Sequence, residues 1–249
     1  MINNPVKGTL PDALLKYDQN RLKESIGEYK EKSLHNILKY YFEPNSDFHE
    51  IKIGKMVADI KNEYGIIEIQ TRGFNKLRKK LDAFLKENIV TIVYPYASIK
   101  WLSWMDVNTG EISKKRKSPQ KLSIFDSFYE LYKISDYLSN PNLRLYLLGL
   151  EIYEIRLNNG WSIDGKKGST RFDRYPLSIV EKTYIKNIND YAWLIPNNLP
   201  SPFTISEYVN SANISSRLGS PAMKCLTNAG ILEYIGKEGR KNLYDIKGC

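Results

Sequence analysis

The chain has 249 residues, enough for one large domain or two small ones, and its 42% hydrophobic and 26% charged residues are typical of a globular protein. It contains no run of 18 apolar residues, and its amino end lacks a basic start followed by an apolar stretch, which argues against a membrane span and a secretory signal. The net charge of +9 favours a polyanionic partner, but it does not distinguish nucleic acid from a membrane surface.

The small number of cysteines and histidines limits the metal and redox chemistry of the chain. Cys225 and Cys249 cannot build a disulfide framework, so a reducing cytoplasm is the expected compartment. His35 and His49 are the two histidines, and with so few thiols they do not form a structural zinc site. We expect His49, at the start of a strand, to be structural, and Cys225 to be a core residue rather than a nucleophile.

The first half of the chain alternates between helical and strand patterns. Helical spacing extends over residues 11–41 and ends before Pro44. Three segments of strand length follow, HEIKIG, MVADIK and GIIEIQT. Residues 71–88 return to helical spacing, with Lys79 and Lys80 on the solvent side, and then comes the apolar run IVTIVYPY.

The second half predicts a hairpin, a helix and a separate carboxyl-terminal module. The hairpin consists of KWLSWMDV, the turn NTG and EISKKRK, and residues 124–138 have amphipathic helical spacing. LRLYLLGLEIYEIRL is either a strand or a buried helix, and NNGWSIDGKKGSTRFDRYP is an exposed loop or long hairpin. Prolines in IPNNLPSPFT mark a linker, which predicts a first domain over 1–198, with its core at about 24–157, and a second domain over 199–249.

Asp59, Glu68 and Gln70 are polar residues inside segments that are otherwise apolar. If MVADIK and GIIEIQ form a hairpin that turns at Glu63 and Tyr64, Asp59 lies opposite Glu68, and directly opposed Cβ atoms are roughly 4.5–5.5 Å apart. Two carboxylates at that distance repel each other, and a divalent cation is the simplest compensation. Their hard oxygen atoms favour Mg²⁺ or Mn²⁺. The alternative is that both carboxylates face solvent from an ordinary hairpin.

This pattern resembles the metal-binding core of the PD-(D/E)xK nuclease superfamily, which includes many restriction enzymes. The resemblance is carried by Asp59 and by Glu68-x-Gln70 on a strand that leads into a helix, and it covers residues 24–96 as the order helix, hairpin, strand, helix, strand. It implies a restriction endonuclease-like α/β fold, a mixed sheet flanked by helices, in which Asp59 and Glu68 hold Mg²⁺ or Mn²⁺. The implied activity is the hydrolysis of DNA phosphodiester bonds.

The same resemblance implies that an acidic residue of the first helix joins the site. Glu31 is the expected catalytic residue, ahead of Glu28 and Glu24. His35 lies four residues after Glu31 and therefore on the same helical face, so we expect it to support the metal site.

Gln70 departs from the superfamily pattern, which usually has a lysine at this position to orient the attacking water and stabilise negative charge. An amide can hold a water through hydrogen bonds, but it carries no charge. We expect Arg72 or Lys61 to supply the charge. The proline of the pattern is also absent, since Ala58 precedes Asp59. Gln70 therefore leaves open a second hypothesis, in which the chain is a catalytically inactive, nuclease-like DNA-binding regulator or structural protein.

The carboxyl-terminal segment resembles a winged helix-turn-helix domain. Thr204 is a predicted N-cap, the helix AMKCLTNAG ends at Gly230, and the strands ILEYIG and KNLYDI are joined by the basic tip KEGR. The resemblance implies that the third helix enters the major groove and that the wing touches phosphate. The expected DNA-binding side chains are Lys224, Lys237, Arg240 and Lys241. The alternative is a winged helix that serves protein contact.

Two further basic tracts are expected to contact phosphate or to be solvated surface. One is KKRK, with Lys115 and Arg116, and the other is GKKGSTRFDR, from Gly165. Taken together, these observations predict a cytoplasmic Mg²⁺-dependent deoxyribonuclease acting on duplex or branched DNA, with no membrane partner and with a homodimer left open. An RNA-directed nuclease is a third hypothesis, because four aromatic residues could stack bases: Tyr94, Tyr96, Trp101 and Trp104.

Overall fold

Helices and strands alternate along the computed structural model, which describes residues 4–21, 33–161, 167–168 and 170–247. The α-helices in these ranges are α1 (Leu10–Arg21), α2 (Ser33–Phe42), α3 (Arg78–Phe84), α4 (Phe128–Leu131), α5 (Ile205–Ser211) and α6 (Gly219–Ala229). The strands are β1 (His49–Ile53), β2 (Met56–Asn62), β3 (Gly65–Ile69), β4 (Val90–Met105), β5 (Arg116–Lys117), β6 (Leu143–Leu157), β7 (Gly160–Trp161), β8 (Lys167–Gly168), β9 (Arg171–Ile185), β10 (Phe203–Thr204), β11 (Leu232–Glu238) and β12 (Lys241–Ile246). Short 3₁₀ helices occupy Ser46–Phe48, Phe74–Leu77, Ile124–Ser127, Tyr132–Tyr137, Ile188–Leu194 and Ser216–Leu218. The predicted site residue Glu31 lies outside the described residues, as do Glu24, Glu28 and Cys249.

A seven-stranded mixed sheet flanked by helices makes this an α/β protein. The strand order is β1-β2-β3-β4-β6-β9, and β5 pairs with β4. The pairs β1/β2 and β4/β5 are antiparallel, whereas β3 and β4 are parallel. Parallel neighbours require a crossover connection, and α3 lies in the one between β3 and β4. Two smaller sheets have the orders β10-β12-β11 and β7-β8.

The chain divides into two compact units, each assembled from separate stretches of sequence. The first unit consists of Met1–Tyr64, Pro95–Leu122 and Leu148–Glu181. The second consists of Gly65–Tyr94, Ser123–Leu147 and Lys182–Cys249. The division into 1–198 and 199–249 stays a prediction.

In the first unit, α1 packs against α2. The buried face of α2 repeats at helical spacing, through Leu34, Ile37, Leu38 and Tyr41. The hydroxyl groups of Ser33 and Tyr17 are 2.6 Å apart, and the Ser33 hydroxyl also donates to Asp173. The backbone N–H of Ser33 donates to the same carboxylate at 3.3 Å, so Asp173 caps a helix that is far from it in sequence.

In the second unit, a buried carboxylate satisfies the start of the 3₁₀ helix that precedes α3. The backbone N–H of Phe74 donates to Glu130 Oε2 at 2.9 Å, and Lys133 Nζ lies 2.7 Å from the other oxygen of Glu130. The ring of Phe74 packs edge to face against Tyr94, with centroids 5.7 Å apart. These contacts fix the entry to α3, the helix that crosses between the two parallel strands.

The carboxyl-terminal segment follows the local signals in its sequence. Thr204 and Glu207 form a reciprocal capping box at the start of α5. The C-cap of α6 is Gly230, which has the left-handed φ of 88°. β11 and β12 pair antiparallel, and the pair nearest the turn is Glu238 with Lys241, as a hairpin tip at KEGR requires. The Tyr208 hydroxyl donates to the Leu194 carbonyl at 2.6 Å and ties α5 to the preceding 3₁₀ helix.

The long strands differ most from the sequence-based expectations. IVTIVYPY and KWLSWMDV form the single 16-residue strand β4, and LRLYLLGLEIYEIRL is the strand β6. A strand buried on both faces has no polar alternation, so its length cannot be read from periodicity. The single amphipathic helix predicted over 124–138 is wrong: α4 is flanked there by two 3₁₀ helices, with a non-helical φ of −127° at Ile134. No helix in the described part of the chain is long and apolar enough to cross a membrane.

Candidate functional site

Asp59 lies on β2 between two buried residues, Ala58 and Ile60. Because side chains alternate along a strand, its carboxylate projects from the opposite face to theirs. In the same unit, α2 carries His35, whose Nε2 lies 3.0 Å from Asp59 Oδ2. Both side chains are partly buried. The residue predicted to support the site is therefore in direct contact with a predicted metal ligand.

Glu68 is a carboxylate in the interior of the second unit. It lies on β3 among buried isoleucines, and its side chain is 2% exposed. An isolated buried carboxylate is costly unless it is paired with a cation. The cation here is Lys80 of α3, whose Nζ lies 2.7 Å from Glu68 Oε2. The Lys80 side chain is 28% exposed, so the pair extends from the interior to the solvent.

The sequence alone did not identify Lys80 as a site residue, because its charge and its helical spacing predict a position on the solvent side of α3. The helix buries Leu77, Leu81 and Phe84, and Lys80 flanks that stripe. The helix lies in the crossover between the parallel strands β3 and β4, so its buried stripe faces the sheet. A lysine beside that stripe, combined with a carboxylate on the preceding strand, is the signal that could have identified the pair.

Gln70 continues the β3–β4 pairing just beyond the end of β3. Its backbone N–H donates to the Val93 carbonyl at 2.9 Å, and its side-chain Nε2 donates to the Arg72 carbonyl at 2.5 Å. The second bond assigns the amide nitrogen to Arg72 and leaves the amide oxygen as the group that accepts a hydrogen bond from a water. The Arg72 side chain is exposed, and Lys80 supplies a positive charge beside Glu68. The expected role of Arg72 or Lys61 stays a prediction.

His49 has a structural environment, as its position at a strand start suggests. Its Nε2 donates to the Glu43 carbonyl oxygen at 2.8 Å, and its ring centroid is 5.0 Å from that of Tyr40. Burial lowers the pKa of His49 below its ordinary value. A neutral imidazole that donates to a backbone carbonyl ties the end of α2 to the start of β1.

The basic tract around β5 covers aromatic rings of the first unit. Lys115 Nζ lies 4.8 Å from the ring centroid of Trp101 and 5.3 Å from that of Tyr153. The guanidinium of Arg116 lies 4.4 Å from the centroid of the Trp104 ring. Cation–π contacts of this kind hold the charged groups on the surface. Lys115 and Arg116, both predicted to bind DNA, are therefore exposed to solvent, and the aromatic rings hold their charged groups in place.

The predicted DNA-binding residues of the carboxyl-terminal segment are all exposed. Lys224 lies on α6 in a polar stripe with Ser220 and Thr227, at spacings of four and three residues. The hairpin of β11 and β12 exposes Lys237, Arg240 and Lys241. Cys225, next to Lys224, is buried, and burial raises the pKa of its thiol to about 12. It is a core residue, as predicted.

The described ranges do not contain a complete ligand cluster for a metal ion. Within those ranges, no three His, Cys, Asp or Glu side chains group as a metal site. The expected third acidic residue, Glu31, lies outside them. Asp59 and Glu68 offer carboxylate oxygens, the ligand type that Mg²⁺ and Mn²⁺ prefer. The burial of Glu68 beside Lys80 also shows that this carboxylate requires a cationic neighbour.

Comparison with known proteins identifies a family for the greater part of the chain. Residues 32–186 match the family model described as Domain of unknown function (DUF8091). The chain belongs to the DUF8091 family. The chain is also similar to an uncharacterized protein of Treponema pallidum (strain Nichols), with 26% identity over 228 residues that cover 88% of this chain and 87% of the relative. No solved structure matches the chain.

The DUF8091 match includes the contacts described above and excludes the carboxyl-terminal module. His35 with Asp59 and Glu68 with Lys80 all lie within residues 32–186. Residues 199–249 lie outside the matched segment. The chemistry of the DUF8091 domain and the role of the carboxyl-terminal module are therefore separate questions.

Proposed function

We propose that this DUF8091 protein is a metal-dependent DNA endonuclease that hydrolyses phosphodiester bonds. One observation carries the proposal: the Glu68 carboxylate is almost fully buried on β3, and the ammonium group of Lys80 lies 2.7 Å from it. A buried carboxylate is costly to desolvate even when it is paired with a cation, so its presence on this strand is more readily explained by function than by stability. Surface strands do not need such a pair.

The order of secondary structure supports the resemblance to the PD-(D/E)xK superfamily. A helix, α2, is followed by the antiparallel hairpin of β1 and β2. Next come β3, the crossover helix α3 and the parallel strand β4. This is the order helix, hairpin, strand, helix, strand that the sequence predicted over residues 24–96, with the acidic motif on the third strand.

The predicted site residues have chemistry suited to phosphodiester hydrolysis. Asp59 and Glu68 would hold Mg²⁺ or Mn²⁺, and such an ion supplies polarisation of a phosphoryl oxygen and a lower pKa of bound water. Lys80 provides the positive charge that the superfamily usually has at the Gln70 position, where it stabilises the charge that develops on the phosphate. Gln70, held through its amide nitrogen, offers an oxygen that orients a water. His35 orients Asp59.

A plasmid-cleavage assay tests the proposal. Wild-type protein with supercoiled plasmid and Mg²⁺ or Mn²⁺ is expected to produce nicked and linear DNA, and EDTA is expected to stop the reaction. Asp59→Asn is expected to lower the rate by roughly 100-fold or more, because an amide is a poorer ligand for a hard ion and no longer neutralises it. The matched control is Asp18→Asn on the exposed side of α1. Equal nicking by wild type and Asp59→Asn would identify a contaminating nuclease and remove the proposal.

The carboxyl-terminal module is proposed as a winged helix that grips the DNA backbone. Its three-stranded sheet has the order β10-β12-β11, and α5 and α6 lie between the first strand and the hairpin. The exposed face of α6 is polar, with Lys224 as its charged residue, whereas the hairpin tip carries Arg240 and Lys241. This distribution favours contacts to phosphate over the reading of base edges. Tethering such a module to a nuclease raises the local concentration of DNA.

Loss of wing charges is expected to weaken DNA binding without dependence on base sequence. Arg240→Ala and Lys241→Ala should each lower affinity and reduce the slope of log K against log salt by about 0.9, because each removes about one phosphate contact. Fluorescence anisotropy at several salt concentrations measures the slope. Lys86→Ala, an exposed lysine of the same unit, is the control. A slope that responds equally to all three substitutions would show a general charge effect and not a wing contact.

Gln70 supports a second candidate function, a nuclease-like DNA-binding regulator without catalysis. This candidate shares the fold and the DNA contacts, and differs in metal binding. Calorimetry with Mn²⁺ separates the two, since the regulator is expected to give no heat of binding in the wild type. The RNA-directed alternative is weakened, because Tyr94 and Tyr96 are buried and cannot stack bases.

A further inference from the structure

A group of charged residues in the first unit includes one buried carboxylate, Glu154, and two arginines that contact it. We call it the Glu154 cluster; its members are Lys100, Glu154, Arg156, Arg171 and Arg174. Arg156 contacts Glu154 Oε1 through both Nη2, at 2.6 Å, and Nε, at 2.7 Å. Arg171 Nε lies 3.2 Å from Glu154 Oε2. Lys100 interacts electrostatically with all the other members.

The carboxylate of the cluster is buried, whereas the two arginines that contact it are partly exposed. The Glu154 side chain is 2% exposed, whereas those of Arg156 and Arg171 are 30% and 32% exposed. The carboxylate therefore lies beneath the two guanidinium groups and fixes them from below. Guanidinium groups held in this way keep other N–H donors available toward solvent, in the planar fork that matches phosphate oxygens.

The cluster has more positive charge than its one carboxylate can neutralise. Four cations and one carboxylate leave a net excess of three positive charges. Burial alone opposes ionisation of Glu154, but the charges of Arg171, Arg156 and Lys100 outweigh it, so the pKa of Glu154 lies below its usual range. Burial lowers the pKa of Lys100, and the neighbouring arginines act in the same direction. A bound anion would offset the repulsion among these like charges.

We propose that the Glu154 cluster is a phosphate-binding site that holds a phosphate of a nucleic acid. The choice of nucleic acid rests on the proposed function, whereas the preference for phosphate follows from the cluster alone. The exposed cations Lys115 and Arg116 belong to the same unit, and they add to a surface suited to a polyanion. All its members lie within residues 32–186, so the site would give the DUF8091 domain its own contact with the strand.

Two substitutions test the site, and they differ in their effect on the fold. Arg171→Gln removes a cation that pairs with the buried carboxylate, so it lowers both affinity and stability. Lys100→Gln removes a partly desolvated charge that is repelled by the arginines and whose ammonium group donates to Gln120 Oε1 at 2.9 Å, so we expect the thermal midpoint to stay constant or rise while affinity falls. Lys52→Gln is the control, since it makes the same charge change at an exposed position of β1 in the same unit.

The measurement is anisotropy of a labelled oligonucleotide with the full chain in EDTA, so that no cleavage is required. Each cluster variant is expected to bind roughly three- to tenfold more weakly and to lower the salt slope by about 0.7 to 0.9, and Lys52→Gln is expected to change neither as much. Arg171→Lys keeps the charge and should recover part of the affinity. Wild-type affinity and slope in folded Lys100→Gln would overturn the proposal, whether or not the protein cleaves DNA.

Further binding measurements distinguish a terminal phosphate, a backbone phosphodiester and inorganic phosphate as the group that the cluster binds. If a 5′-phosphorylated oligonucleotide binds more tightly than its 5′-hydroxyl form, and Lys100→Gln removes that difference, the cluster binds a terminal phosphate. Equal binding of the two forms, with weaker binding in the variant, supports a backbone phosphodiester. If inorganic phosphate raises the thermal midpoint of the wild type and the variants bind oligonucleotides normally, the nucleic-acid assignment is wrong.

Discussion

Lys80→Met is expected to reduce Mg²⁺-dependent cleavage by roughly 100- to 1,000-fold, the range typical for removal of a group that stabilises charge in a transition state. The reason is the position of the ammonium group, 2.7 Å from the buried carboxylate of Glu68 and partly open to solvent. The substitution also removes the charge that balances Glu68, so we expect lower stability. Plasmid cleavage and thermal unfolding measured together separate the two effects.

The companion variants distinguish a role in chemistry from a role in folding. Lys80→Arg keeps the charge and should retain more activity than Lys80→Met. The double variant Glu68→Gln with Lys80→Met has a neutral pair, so its stability should partly recover while cleavage stays absent. Lys79→Met, the adjacent exposed position on α3, is the control. If folded Lys80→Met cleaves DNA at the wild-type rate, Lys80 is only a counter-ion.

Gly65→Ala is expected to destabilise the protein by about 3 to 5 kcal/mol. Gly65 begins β3 with a φ of +105°, outside the narrow left-handed region that other residues tolerate. An added Cβ would lie 2.3 Å from the Ile89 carbonyl oxygen, and that carbonyl accepts the backbone N–H of Ile66 at 2.8 Å. Backbone strain of about 1 to 2 kcal/mol therefore adds to the displacement of a ladder hydrogen bond and its neighbours.

Gly54→Ala is the matched control for the backbone term. Gly54 also has a positive φ, +59°, but a Cβ there would meet nothing within 4 Å. We expect a loss of about 1 kcal/mol from this change, measured as the shift of the urea-unfolding midpoint. Similar shifts for the two variants would mean that the close approach to Ile89 is relieved by local movement and that β3 is not fixed at this point.

The acidic motif was identified from sequence, but the cation beside it was not. Polar residues that interrupt apolar strands can be recognised from their immediate sequence neighbours, as is the case for Asp59, Glu68 and Gln70. His35 was found through helical spacing, and it does contact Asp59. Lys80 could not be separated from the other lysines of its helix by periodicity. Its selection depends on which side of α3 flanks the buried stripe in the crossover between β3 and β4.

The predicted phosphate contacts show the same division. Basic tracts at Lys115 and near Arg171 were visible as runs of charge. The Glu154 cluster was not visible, because Lys100 and Glu154 are more than fifty residues apart and lie in apolar strands. The hydrophobic neighbours of Lys100 and Glu154 identify strands but give no sign of a charged cluster. The electrostatic interaction between the two side chains depends on their separation in space, which the sequence does not give.

The sequence by itself determined the elements whose stabilising contacts are local. The stripe of α2, the hairpin of β1 and β2, the capping box of Thr204 with Glu207 and the left-handed stop at Gly230 all involve residues within a few positions of one another. The tertiary structure alone decided which polar and charged groups meet: Lys80 with Glu68, Asp173 with Ser33 and the arginines with Glu154. Hydrogen bonds and ion pairs act over a few ångströms, and only strand pairing and helix crossover bring residues that are distant along the chain within that range.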